Sequence, residues 1–189
     1  CDHPPVPYLR QATRRDNGGK YTGPFMRRHY SIDEIFAIAE QIERNGARYY
    51  ERAAELAQDP ELRGALERLA EWEKGHEFTF SGMRKRANDA QRTGIWDPEG
   101  EAEAYLQAIA GDYIFRAENH PTDALTGHES AEQIYRLALR LEKDAILFYQ
   151  GLATVVIDHD DALLLRGLIA EEMSHVVFLS ERLSLVSSR

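Results

Sequence analysis

The sequence predicts an all-α protein, an antiparallel four-helix bundle with a long crossover between helices 2 and 3. Three observations carry this. Apolar residues recur at helical spacing in two long stretches, one on each side of a central segment containing Gly94, Pro98, Gly100, Gly111, Pro121 and Gly127. Each stretch is divided once by a short Asp-containing turn, and short turns make antiparallel neighbours. No segment shows the strict apolar–polar alternation of a half-buried strand.

The elements follow in order. Residues 1–29 hold four of the seven prolines and the turn cluster "DNGGKYTG", which reads as an extended arm without a core of its own. Ser31 and Glu34 then form a capping box, in which each side chain satisfies the other's free backbone N–H, and a helix is expected from there to about Leu56. Asp59 with Pro60 ends that helix and starts the next, which runs to about Asn88. The crossover spans about residues 91–129 and holds one short helix near residues 99–110. Ser130 and Gln133 make a second capping box, and the "DHDD" turn at residues 158–161 leads into a fourth helix ending near Leu185. The domain expectation is therefore a basic arm, residues 1–29, and a bundle, residues 30–189.

Bulk properties narrow the function. The 189 residues suffice for one domain with a sizeable core, and 43% hydrophobic with 29% charged is an ordinary globular mixture. The net charge is −9; the arm carries six Lys/Arg against two Asp, so the remainder carries −13. Such an acidic body lacks the clustered positive charge that nucleic acid needs, and no nucleic-acid partner is expected. No apolar run approaches a membrane span. Cys1 is the one cysteine, which excludes internal disulfides and cysteine-held metal sites. A cytoplasmic location is expected; the alternative is an exported lipoprotein, should Cys1 be the native mature N-terminus.

A shift of 99 residues brings the two hairpins into register without a gap. Ser31 meets Ser130, Glu43 meets Glu142, Tyr50 meets Tyr149, Asp59 meets Asp158, Glu73 meets Glu172 and His76 meets His175. A single Glu-x-x-His on a helix is ordinarily a solvated face. Two copies in one register, each with an upstream Glu, are a different matter. Residues three apart share a helix face, so Glu73 and His76 can point at one spot, as can Glu172 and His175. Glu43 lies sixteen residues before the Asp59 turn and Glu73 fourteen after it, at similar depth in an antiparallel hairpin. The same holds for Glu142 and Glu172 about Asp158.

Four carboxylates and two imidazoles would thus converge at one level. Four carboxylates cannot share a dry core unless cations neutralise them, and two divalent ions do so. Mixed carboxylate–imidazole ligation suits iron or manganese better than zinc. Two iron ions are expected, with manganese or a mixed pair as alternatives. Glu73 and Glu172 would bridge; Glu43 and His76 would complete one metal, Glu142 and His175 the other.

The stretches "AEQIERNGARYYERAAELAQDPELRGALERLAEWEKGHEFTF" and "LALRLEKDAILFYQGLA…LIAEEMSHVVFLSERL" resemble the rubrerythrin branch of the ferritin-like superfamily, over roughly residues 31–90 and 130–186. The resemblance implies a di-iron centre that reacts with hydrogen peroxide or dioxygen. This sequence departs from rubrerythrins in two respects. Their rubredoxin-like domain needs four cysteines, and their extra carboxylate would fall on Ala145. The symmetric six-ligand set is closer to the ferroxidase centre of bacterioferritin, but without a fifth helix after Leu185 a storage cage is not expected.

Tyr50 and Tyr149 lie two turns beyond Glu43 and Glu142 and could hydrogen-bond the ligand carboxylates. Glu171 could orient a histidine across the site, although its counterpart is Trp72. Gly75 signals either close helix packing or room for a ligand. His29, His120, His128 and His159 are expected to face solvent, and "PPVPY" could be a docking segment. The functional expectation is an oxidoreductase taking electrons from an external donor, as a homodimer or a subunit of a complex. Its rivals are an oxygen-activating hydroxylase and a non-enzymatic metal-binding or scaffold subunit. No catalytic side chain beyond the ligands is singled out.

Overall fold

A computed structural model describes residues 30–90, 97, 100–113 and 121–188. The arm expected at residues 1–29 lies outside the described residues, as do Cys1, His29 and His120. The elements are α1 (Ile32–Leu56), α2 (Pro60–Asp89), α3 (Glu101–Tyr113), a 3-10 turn (Pro121–Ala124), α4 (Ala131–Val155) and α5 (His159–Ser187). All are helical, with no strand among the described residues. The starts of α1 and α4, their ends, and the starts of α2 and α5 each lie 99 residues apart, so the sequence repeat is a repeat of structure.

Helix boundaries follow the local chemistry. Ser31 with Glu34, and Ser130 with Gln133, each form the reciprocal capping box. The Asp59 and Asp158 side chains accept from the first free N–H groups of α2 and α5, and Pro60 occupies a first-turn position where no N–H is needed. Such a cap contributes about 1 kcal/mol. The crossover helix begins two residues later and ends three residues later than the spacing predicts. It packs on α4 at Gly151, where an added Cβ would stand 2.6 Å from the Tyr105 ring, and the Tyr105 hydroxyl donates to the Leu147 carbonyl at 3.1 Å.

Two apolar clusters fill the bundle, one toward each end. One joins Phe36, Phe80, Met83, Leu106, Phe148 and Leu152. The other joins Tyr49, Leu62, Leu66, Leu69, Ile134 and Leu179. Burying each such side chain contributes about 1.5–3 kcal/mol. On every long helix the two clusters are separated by the positions that carry Glu43, Glu73 and His76, Glu142, or Glu172 and His175. The apolar layers therefore hold a polar layer between them. Ion pairs tie the helices outside it: Arg84 of α2 to Asp33 of α1 at 2.7 Å, and Arg86 of α2 to buried Asp161 of α5 at 2.6 Å. No helix among the described residues is long and apolar enough to cross a membrane.

Candidate metal centre

Each hairpin supplies three side chains to the polar layer, and helix geometry delivers them. Glu73 and His76 project from one face of α2, Glu172 and His175 from one face of α5, and Glu43 and Glu142 face them from α1 and α4. All six are buried, the most accessible at 4%. Two quartets form. One ligand atom from each of Glu43, Glu73, His76 and Glu172 lies within 4.8 Å of the others, and the same holds for Glu73, Glu142, Glu172 and His175. Glu73 and Glu172 belong to both quartets. Glu172 turns one oxygen to each side, with Oε1 2.8 Å from His76 Nδ1 and Oε2 3.0 Å from His175 Nδ1.

The tyrosines act crosswise. The Tyr149 hydroxyl donates to Glu43 Oε1 and the Tyr50 hydroxyl to Glu142 Oε1, so each holds the upstream carboxylate of the other hairpin. Each carboxylate keeps its second oxygen for the centre. Glu43 Oε2 is 3.5 Å from His76 Nδ1, and Glu142 Oε2 is 3.7 Å from His175 Nδ1. Burial, followed by the neighbouring carboxylates, pushes both phenols well above their ordinary range, so they remain donors.

Without cations, this layer must hold protons. Burial and the carboxylates around it push Glu73 well above the usual range, and burial raises Glu142 to about 8. Burial opposes charge on the histidines, but the adjoining carboxylates of Glu172 and Glu43 raise His76 to about 11, and those of Glu142 and Glu172 raise His175 to about 9. Burial works against Glu172 as well, yet His175 and His76 hold it below the carboxylate range. Even so, Glu43 Oε2, His76 Nδ1 and Glu172 Oε1 are buried without a hydrogen-bond partner. His76 Nδ1 and Glu172 Oε1 are close, but not in hydrogen-bond geometry. An orphaned buried polar atom costs about 1–3 kcal/mol. Three lone-pair donors on one point, in a set of carboxylates and imidazoles, fit a divalent cation.

The surroundings of the two histidines differ. His76 Nε2 lies 3.0 Å from the exposed Glu171 carboxylate, which orients the ring so that Nδ1 faces the centre. Among the described residues, His175 has no such carboxylate on its other nitrogen. The Trp72 indole stacks on it, with centroids 4.8 Å apart and planes 11° apart. The two imidazoles are themselves stacked at 5.4 Å. The contact is the one expected of Glu171 from its place before a ligand, although its counterpart Trp72 spoke against a symmetric role. A Cβ at Gly75 would meet nothing within 4 Å, which rules out close packing as its reason. Gly75 lines a groove of about 780 Å³ between α2 and α5, with Trp72, Leu163, Leu164 and Leu168 as apolar walls and His76 at its inner end. His128 and His159 are exposed, as expected.

No protein-family model matches the chain, and no curated protein matches it by sequence. Among solved structures, it is similar to a Thermotoga maritima protein described as a candidate ferritin-like diiron-carboxylate protein. The TM-score is 0.63 at 19% identity, over 83% of this chain and 97% of that one. At that identity the likeness establishes the ferritin-like fold.

Proposed function

We propose that the chain is a dinuclear carboxylate protein, holding two iron ions or manganese in their place, that reacts with hydrogen peroxide or dioxygen as a rubrerythrin-like oxidoreductase. The observation that carries this is the pair of buried quartets sharing Glu73 and Glu172, the first of which leaves three buried polar atoms unpaired. The diiron-carboxylate description of the Thermotoga maritima protein supports it. Glu43, Glu73, His76 and Glu172 would hold one metal and Glu73, Glu142, Glu172 and His175 the other. Bound iron would supply the one-electron chemistry that reduces the oxidant.

The chain's own residues do the rest. Tyr149 and Tyr50 hold one oxygen of each upstream carboxylate, leaving the other free to turn inward. Glu171 accepts from His76 Nε2 and so leaves Nδ1 as the inward donor. The protons kept by the histidines, Glu73 and Glu142 leave when cations take their place, so uptake releases acid and strengthens with pH. The apolar layers on either side keep water from the ligands. Electrons come from a donor outside the bundle, since the one cysteine of these 189 residues cannot hold a rubredoxin-type iron.

Purified protein grown with ample iron and manganese is expected to contain about two metals per chain. After reduction, it is expected to change its ultraviolet–visible absorption on mixing with peroxide or oxygen. Metal-free protein under those conditions would sink the reading. The groove that reaches His76 with mainly apolar walls favours a second reading, an oxygen-activating hydroxylase acting on an apolar substrate. Oxygen consumption dependent on such a substrate would separate the two.

A further inference from the structure

One turn after the upstream glutamate, the two hairpins differ by one methyl group. Gly46 lies in the interior of α1, one turn after Glu43. A Cβ there would stand 3.2 Å from Glu73 Cδ and 3.3 Å from Glu73 Oε2, tighter than nine in ten real Cβ contacts. What it would meet is no free chain end: Glu73 is 4% exposed and its carboxylate faces those of Glu43, Glu142 and Glu172. Elsewhere in the long helices, a Cβ at Gly75 or Gly167 would meet nothing within 4 Å, one at Gly64 or Gly82 only the tip of an arginine, and one at Gly151 the Tyr105 ring of the crossover helix, away from the polar layer. Ninety-nine residues on from Gly46 stands Ala145, buried at 7%, so a helix in this register accommodates a Cβ. Glycine is the least favourable helix-interior residue short of proline, and its presence at 46 needs a local reason.

We propose that Gly46 is a positioning residue for Glu73. The space left by its missing methyl group is where the Glu73 carboxylate lies, and that space sets the reach of Glu73 to both quartets. The geometry stands by itself; its consequence for metal binding rests on the dinuclear reading. Because Glu73 belongs to both quartets, moving it weakens both metals together, whereas Ala145 already carries the methyl group beside the other hairpin.

Manganese(II) is the probe, titrated against a competing chelator, with metal-free thermal unfolding as the second readout. Gly46→Ala is expected to bind manganese about tenfold more weakly or worse. Its metal-free form should unfold no lower than wild type, since alanine is the better helix former. Ala145→Gly should do the reverse, unfolding lower without metal while keeping two manganese ions at wild-type affinity. Wild-type affinity in Gly46→Ala overturns the proposal. A wild type that binds neither manganese(II) nor iron(II) sinks the dinuclear reading alone, and the positioning role is then decided by Gly46→Ala combined with Glu73→Ala in metal-free protein. Non-additive unfolding temperatures, or folding restored by the second change, support it; additive effects overturn it.

Discussion

The hairpin α1–α2 and the hairpin α4–α5 share their ligand frame and the tyrosines that hold it, and differ around the histidines and beside Glu73. Both carry Glu, Glu and His at the same register, and both lend a tyrosine to the other's upstream carboxylate. Yet His76 is held by the exposed Glu171 carboxylate, whereas His175 lies under an indole. Glu73 lies against a glycine, while Ala145 stands at the matching place in the other hairpin. The crossover helix packs on α4 at Gly151, and its Glu103 also accepts from the Tyr30 N–H just before α1. A frame of buried ligands tolerates no change without leaving a charge unpaired in a dry interior, while its surround can drift. Two metals in this frame would therefore be similarly ligated but unequally tuned.

Removing the shared carboxylates should break the comparison completely. Glu73→Ala with Glu172→Ala leaves neither quartet intact, and elemental analysis is expected to find the metal lost from both sides. Removing an upstream carboxylate should break it on one side. Glu43→Ala and Glu142→Ala are each expected to retain about one metal per chain, because only Glu73 and Glu172 are shared. Equal loss of both metals in either variant would show that the quartets are not separable.

Removing what surrounds the ligands should sharpen the asymmetry. Glu171→Ala is expected to weaken one metal by about 10–100-fold and leave the other unchanged, read as a split in a two-step binding isotherm. A single-step loss would contradict unequal tuning.

Metal-free protein offers a smaller effect with a definite sign. His175 is raised from 6.5 to about 9 and Glu142 from 4.5 to about 8, so the folded state holds protons that the unfolded state has released. Stability then falls as pH rises from about 4.5, where Glu142 begins to count, to about 9, where His175 is spent. Glu172, held below its ordinary range, contributes in full throughout that window and does not reverse the sign. Unfolding temperatures should decline with pH in metal-free protein and lose that decline when metal is bound. The smallest expected effect is that of Trp72→Leu, which removes a stack worth about 0.5–1.5 kcal/mol from the His175 side alone.

Much of this was legible before any coordinates. Helix starts are local events, so Ser31, Asp59, Ser130 and Asp158 marked them through their side-chain bonds to nearby N–H groups. The pairing of Glu73 with His76 follows from three-residue spacing on a helix. The late start and end of α3, the crosswise tyrosines, the stacking of Trp72 and the reason for Gly75 were not legible. Each depends on how far apart two helices stand and how each is rotated about its axis, which spacing along one chain does not encode.

The sequence by itself determined an all-helical chain, the 99-residue duplication and which six side chains share a level, because helix period and turn chemistry act over a few residues. Only the tertiary structure decided that Tyr50 reaches Glu142 and Tyr149 reaches Glu43, that Glu171 reaches His76, and that a Cβ at position 46 would stand 3.2 Å from Glu73. Those are contacts across the bundle, and the packing of whole helices sets them to within an ångström.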